Sequence, residues 1–119
     1  MAQRDKQYDL EDRTLKFARD VRNFVKRLPK GAGNFQDGKQ LIRSSGSVGA
    51  NYIEANEALS KKDFVHRIKI SRKEAKESCY WLKLIELGDG KVLVEERDNL
   101  LREATELMKI FSAIMRNSS

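Results

Sequence analysis

Hydrophobic residues recur every three or four positions along most of the chain, which predicts helices rather than strands. An α-helix turns once every 3.6 residues, so this spacing gathers the apolar side chains on one face. The pattern is interrupted at Pro29, around Ser60, and at Gly88 and Gly90, and such residues commonly end or separate helices. We expect four helices, at about residues 10–28, 35–56, 61–87 and 92–116.

Short polar residues stand directly before three of these segments, where they are suited to cap a helix. Asp9, Asn34 and Ser60 occupy these positions, and a side-chain oxygen there can accept a hydrogen bond from a free N–H of the first turn. The connections are short, so successive helices should be antiparallel neighbours. The sequence therefore predicts an all-α fold, an antiparallel up-and-down four-helix bundle, in a single domain over residues 1–119.

The second predicted helix is apolar on two sides, although the other helices of a monomeric bundle would cover only one. Leu41, Val48 and Tyr52 lie on the first side. The second side carries small residues that permit close approach, and we expect it to meet another copy of the chain. The expected homo-oligomer interface also includes two residues of the third helix and consists of Ile42, Gly46, Gly49, Ala50, Ile53, Ile70 and Trp81. The alternative is that the second helix lies deeper within the bundle.

A strip of polar residues runs along the second helix between its two apolar sides. Arg43 lies on this strip, and Glu74 or Glu77 of the third helix would face it if the two helices are antiparallel. We expect a structural network of ion pairs and hydrogen bonds, formed by Arg43, Ser44, Ser47, Asn51, Glu54 and Glu77. The alternative is an enzyme site that Arg43, Glu54 and Glu77 assemble between subunits.

The third predicted helix separates an apolar stripe from a basic one. Its expected core stripe contains Phe64, Ile68, Ser71, Ala75, Cys79 and Leu82. Nearly opposite lies a stripe that includes Tyr80 and six cationic or potentially cationic side chains, which we name the lysine face: Lys62, His66, Lys69, Lys73, Lys76 and Lys83.

The distribution of charge gives the lysine face its functional interest. The 119-residue chain has a formal net charge of +6 at pH 7, and residues 61–76 alone carry seven basic side chains against two acidic ones. At 1.5 Å per residue, Lys62 and Lys76 are about 21 Å apart, a length over which a phosphate backbone can be followed through counterion release. Lysine predominates over arginine on this face, which argues against base-specific recognition. The alternative is a solvated face that only confers solubility.

The composition excludes several kinds of chemistry. One His and one Cys cannot complete a zinc or di-iron site, and no phosphate-binding or dinucleotide-binding glycine motif occurs. We therefore expect no metal, no cofactor and no enzymatic activity. No apolar run reaches the ~20 residues of a membrane span, and a single Cys is compatible with a reducing compartment, so we expect a cytoplasmic protein.

Residues 41–55 (LIRSSGSVGANYIEA) resemble the signature of the small bacterial four-helix-bundle proteins encoded in intervening sequences of 23S rRNA genes. Residues 60–64 (SKKDF), 74–77 (EAKE) and 80–82 (YWL) continue the pattern, and the resemblance covers about residues 10–116. Many family members have a different residue at the position of Ile53. The resemblance implies an antiparallel bundle that assembles as a ring-shaped homopentamer. It also implies kinship with accessory proteins of diversity-generating retroelements, which pair with a reverse transcriptase and bind nucleic acid.

These features together predict a non-enzymatic homo-oligomer, a pentamer, that binds RNA or DNA with weak sequence selectivity through the lysine face. The alternative function is a protein-interaction scaffold that docks an acidic partner or a reverse transcriptase without contacting nucleic acid directly. The family resemblance supplies no catalytic residue, because the family has none established.

Overall fold

The computed structural model describes the backbone of residues 2–118 and the side chains of residues 9–118. Over this range the chain forms helices and no strand, so the predicted all-α fold is confirmed. Met1 and Ser119, which the single-domain prediction includes, lie outside the described residues. The helices are α1 (Ala2–Lys26), α2 (Ala32–Asn56), α3 (Lys61–Leu84) and α4 (Lys91–Asn117).

Contacts between the helices define an antiparallel, up-and-down arrangement. The helix α2 packs against α1 and α3, and α4 packs against α3 and α1. Arg43 of α2 contacts Glu77 of α3, whereas Asn51, further along α2, contacts Arg67, which lies nearer the start of α3. The two helices therefore run in opposite directions. Arg13 of α1 and Arg27, directly after α1, pair with Glu103 and Glu96 of α4 in the same opposed order.

Aromatic and branched side chains fill the space between the four helices. Phe17 and Phe24 of α1 and Phe111 of α4 are fully buried, and the ring of Tyr52 lies 5.8 Å from that of Phe111. The other large core side chains are Val21, Leu41, Val48, Ile68, Leu82 and Leu107. Burying a side chain of this size contributes about 1.5–3 kcal/mol relative to leaving it exposed, so this core holds the helices together.

The predicted start of the first helix is wrong, whereas that of the third is confirmed. Because α1 begins at Ala2, Asp9 lies inside the helix and does not cap it. The residues before Asp9 are mostly polar and give no apolar periodicity from which to infer a helix. Ser60 is the N-cap of α3, since its side chain accepts a hydrogen bond of 3.0 Å from the backbone N–H of Asp63.

Asn34 joins two loops instead of capping α2, which begins earlier, after Gly31. The Asn34 side-chain amide donates to the carbonyl oxygens of Pro29 and Glu86 at 2.9 and 2.8 Å, and its oxygen accepts from the N–H of Glu86 at 3.0 Å. The helix α3 ends at Leu84 rather than near residue 87, because the backbone already leaves the helical conformation at Ile85.

The predicted core stripe of α3 is only partly correct. Phe64 and Cys79 are half-buried, whereas Glu74 and Ser78, which were not assigned to the core, are buried. Both of these polar side chains find hydrogen-bond partners on α2, which permits their burial. The buried face of α3 is therefore turned towards α2 relative to the expectation.

Candidate nucleic-acid interface

The lysine face is exposed along the whole of α3. The side chains of Lys62, His66, Lys69, Lys73, Lys76 and Lys83 are all exposed. Ile68, Ala75 and Leu82 are buried on the other side of the same helix, and they fix its rotation so that the basic residues point to solvent. This position follows from helical spacing, because residues three and four apart lie on one face.

No residue of the lysine face forms an ion pair or a side-chain hydrogen bond with another side chain that the structure describes. Basic residues elsewhere are often paired: Arg13 with Glu103, Arg27 with Glu96, and Arg97 with Asp98. Part of the reason is local, since residues 61–76 contain only two carboxylates. One of these is Glu74, which is buried and points towards α2. The positive charge of this face is thus left available to an external anion.

The structure adds neighbouring residues that the sequence interpretation missed. Arg72 is exposed and lies three residues after Lys69 and four before Lys76, so it extends the lysine face on one side. At the start of α3, Lys61 and Val65 join Ser118 from the end of α4 around a shallow depression of about 570 Å³. Lys61 and Arg72 belong to the basic segment and were visible from charge, whereas Ser118 comes close only through the fold.

Tyr80 is the aromatic residue of this surface. Its relative exposure is 60%, and Lys76 and Lys83 lie four residues before and three residues after it on the helix. The ring of Trp81 contacts the Tyr80 ring nearly at a right angle, with centroids 5.1 Å apart and an interplanar angle of 80°. The exposed tyrosine is therefore held beside a half-buried tryptophan.

On the side of α3 that faces α2, charged residues of the two helices form a cluster of ion pairs. Arg43 donates hydrogen bonds to Glu74 and Glu77, each at 2.9 Å. The Glu74 side chain is only 6% exposed. Burial opposes the charged form of Arg43, but the hydrogen bonds and charges of the two carboxylates outweigh this effect and raise the pKa of Arg43 above its usual value. The guanidinium therefore stays charged and neutralises a buried carboxylate.

Serine hydroxyls continue this contact between α2 and α3. The Oγ atoms of Ser44 and Ser78 are 2.9 Å apart, and Ser78 also donates to the carbonyl oxygen of Glu74. Ser71 donates across the interface to the carbonyl oxygen of Val48 at 2.9 Å. In the described part of the chain no buried side-chain nitrogen or oxygen lacks a partner.

Of the other residues predicted for the polar network, Ser47 and Asn51 form side-chain hydrogen bonds, and Glu54 forms none with a described side chain. Asn51 donates to the hydroxyl and carbonyl oxygens of Ser47, and its own oxygen accepts from Arg67 at 3.2 Å. These residues form a second cluster, separate from Arg43. Glu54 joins neither, since it is exposed and has no ion pair or hydrogen bond with a described side chain. It lies about three helical turns from Arg43, too far to share its guanidinium.

Comparison with known proteins decides the family. The model of the family described as 23S rRNA-intervening sequence protein matches residues 6–113. The chain belongs to this family. A similar solved structure comes from Bacteroides thetaiotaomicron and is described as a protein with unknown function from the S23 ribosomal protein family. It is 33% identical, the match covers 93% of this chain and 98% of that chain, and the TM-score is 0.80. None of the curated proteins matches the sequence.

The signature segment forms much of the contact between α2 and α3. Arg43, Ser44 and Val48 within residues 41–55 all bond to α3. The two partners of Arg43, Glu74 and Glu77, lie in the second motif, residues 74–77, and Ser44 contacts Ser78 directly after it. The two sequence motifs that carry the family resemblance therefore meet in one polar interface inside the bundle.

The residues expected at an oligomer interface occupy different environments. Gly49 faces α1, because a Cβ atom there would lie 2.8 Å from Oγ1 of Thr14. Its smallness is required inside the chain, and its part in an external interface stays a prediction. A Cβ on Gly46 would meet nothing within 4 Å, and Ala50 and Ile53 are exposed. Ile42, Ile70 and Trp81 are half-buried.

A metal site, a membrane-spanning helix and an enzyme site each require a particular arrangement of the described residues. No three His, Cys, Asp or Glu side chains lie close enough together to hold a metal ion. None of the described helices has an apolar stretch that would let it cross a membrane. Of the residues considered for an enzyme site, Arg43 and Glu77 are in contact, but Glu54 is not near them.

Proposed function

We propose that this protein is a non-enzymatic, cytoplasmic homo-oligomer that binds RNA or DNA through the lysine face of α3. The supporting observation is that six adjacent basic residues are exposed and have no carboxylate partner among the described side chains. Cations in this arrangement displace the counterions condensed on a phosphate backbone, and the release of those ions favours binding at low salt.

The residues of the lysine face determine the kind of recognition. Lysine presents a compact charge on a flexible stem, whereas arginine presents the planar fork that reads guanine. Five of the six residues are lysines. The proposed contacts therefore go to phosphates and tolerate different base sequences.

Self-association of the chain would increase the affinity for nucleic acid. The outer side of α2 offers Gly46, Ala50 and Ile53, and Ile53 is 50% exposed. An apolar surface with small residues supports close contact with a second copy. A pentamer, as the family resemblance implies, would carry five lysine faces, and weak contacts to one nucleic acid would add through multivalency.

A second candidate function is a scaffold for an acidic protein, and a groove between α1 and α2 favours it. The groove has a volume of about 660 Å³, and none of its lining residues is acidic. It combines apolar side chains with three lysines: Val25, Leu28, Pro29, Phe35, Ile42, Lys26, Lys30 and Lys39. In this alternative, an apolar and acidic segment of a partner such as a reverse transcriptase occupies the groove.

Two matched charge-reversal variants separate these functions. Lys69→Glu/Lys73→Glu changes the lysine face, and Lys26→Glu/Lys30→Glu makes the same change of charge at the groove. We expect wild type to bind structured RNA or DNA with submicromolar affinity at 50 mM salt, and only the first variant to lose most of it. Fluorescence anisotropy measures the affinity, and light scattering verifies that each variant keeps the oligomeric state of wild type.

Three outcomes contradict parts of the proposal. Absence of binding by wild type, or equal binding by the folded Lys69→Glu/Lys73→Glu variant, contradicts nucleic-acid recognition by the lysine face. Loss of binding only in Lys26→Glu/Lys30→Glu moves the contact to the groove. A 13.7 kDa monomer in light scattering at micromolar concentration contradicts the oligomer.

A further inference from the structure

Among the described side chains, Tyr80 and Phe35 are exposed aromatic residues, and their settings differ. Phe35, on α2, is 63% exposed, but the ammonium of Lys39 lies 4.9 Å from its ring centre. Tyr80 is 60% exposed, and no described cation lies over its ring. Its hydroxyl makes no hydrogen bond to a described residue. The ring of Tyr80 is therefore open to a partner.

The contact with Trp81 restricts how this ring is presented. The two rings meet at 80°, so at least one face of the Tyr80 ring is not covered by Trp81. Trp81 is half-buried and packs against the core. A ring with such a neighbour loses less conformational freedom on binding than an isolated exposed side chain.

The charges around the ring match one class of ligand. Lys76 and Lys83 are exposed neighbours of Tyr80 on the same helix face, and Lys73 lies one turn before Lys76. Ammonium groups on both sides can contact successive phosphates, while the ring between them can stack on a base. Bases in a duplex are already stacked inside it. Only a strand with unpaired bases can therefore contact Lys76 and Lys83 through its phosphates and Tyr80 through a base.

We propose that Tyr80 is a stacking platform for an unpaired nucleobase, and that the lysine face therefore prefers single-stranded nucleic acid. This inference rests on the proposed function, since it assigns a ligand class to the same surface. Base–aromatic stacking of this kind tolerates any base, because every base has a π-face. It thus agrees with the weak sequence selectivity proposed for the lysines.

The test compares two fluorescent single strands of equal length with the full-length protein. One is oligothymidine, and the other has abasic sites at its central positions, so that the phosphates remain and the stacking bases are lost. Wild type is expected to bind oligothymidine about fivefold or more tightly than the abasic strand, from the usual strength of one stack. Tyr80→Ala and Tyr80→Leu should bind both strands equally, whereas Tyr80→Phe should keep the preference.

Two controls make the comparison specific. Phe35→Ala removes an equally exposed ring outside the lysine face and should leave the preference unchanged. Trp81 is the single tryptophan of the chain, so oligothymidine, but not the abasic strand, should change its fluorescence. Circular dichroism verifies the fold of each variant, and Tyr80→Leu retains an apolar side chain if Tyr80→Ala is unstable.

The outcomes separate this inference from the proposed function. Equal binding of both strands by wild type, or a preference that survives in Tyr80→Ala and Tyr80→Leu, overturns the stacking platform but leaves phosphate binding by the lysines in place. Absence of binding to either strand and to duplex overturns both.

Discussion

The side of α3 that meets α2 and the side that meets solvent both carry charged residues, but only the first pairs them. On the α2 side, Arg43 holds Glu74 and Glu77 at 2.9 Å. On the solvent side, Lys69 and Lys73 have no partner among the described side chains. An unpaired buried charge costs several kcal/mol, whereas an exposed lysine remains hydrated and costs little. The charges on the α2 side must therefore be paired for the protein to fold stably. The lysines on the solvent side are not needed for folding and can bind a ligand.

The largest expected effect comes from breaking the paired side. Arg43→Ala leaves the buried Glu74 without its cation, and the free energy of unfolding should fall by about 2–4 kcal/mol, somewhat less than for a fully buried pair because Arg43 is 53% exposed. Urea unfolding followed by circular dichroism measures this change. Replacing both partners, as in Arg43→Met/Glu74→Leu, should recover much of the loss. A midpoint equal to that of wild type in Arg43→Ala would contradict the structural role of the cluster.

The next largest effect on stability is expected at two glycines of α2, of which one packs inside the chain and the other faces outwards. Gly49→Ala places a methyl group 2.8 Å from Thr14, so overpacking should lower the free energy of unfolding by about 1–2 kcal/mol after the gain in helix propensity. Gly46→Ala meets open space within its own chain and should raise the free energy of unfolding slightly at a dilution at which light scattering finds a monomer. Thermal unfolding of the two variants should shift in opposite directions. Equal shifts would contradict the close approach of α1 and α2 at Gly49.

A smaller effect is expected from the serine contact. Ser44→Ala removes the hydroxyl that lies 2.9 Å from Ser78, but Ser78 keeps its bond to the carbonyl oxygen of Glu74. No buried group is left without a partner, so the loss should be about 1 kcal/mol, typical of one hydrogen bond. Denaturant unfolding measures it. A loss as large as that of Arg43→Ala would show that the serines and the ion pairs act as one unit.

The smallest effect on stability should come from the solvent side. Lys69→Gln and Lys73→Gln should each change the free energy of unfolding by less than about 0.5 kcal/mol. Each should nevertheless lower the slope of log affinity against log salt by a little under one unit. Salt titrations of nucleic-acid binding, beside unfolding curves of the same samples, measure both quantities. If either variant is markedly destabilised and its salt slope is unchanged, the lysine serves the fold and not binding.

The four helices and the exposed position of the lysine face could be predicted because both depend on local spacing. The burial of Glu74 could not. A carboxylate in a helical sequence is assigned to the surface unless its partner is known, and Arg43 lies in another helix, brought close only by the antiparallel packing of α2 and α3. Asp9 failed as a cap for a different reason, since apolar periodicity finds the packed part of a helix and misses a mainly polar extension.

The glycines show the same limit. Their smallness indicated close packing, but the sequence does not state against what. Gly49 meets α1 of its own chain, whereas Gly46 faces open space. Only the rotation of α2 about its axis distinguishes them, and that rotation depends on contacts with both neighbouring helices.

The hydrogen bonds of Asn34 limit which amino acids can occupy position 34 and the two loops that it joins. Its side chain donates two hydrogen bonds and accepts a third, to groups on two different loops. Aspartate has the shape but lacks the donors, leucine has neither donors nor acceptor, and glutamine is one carbon longer. A position on the molecular surface is thus as restricted in its amino-acid choice as a position in the core, and drift in either loop is constrained by the other.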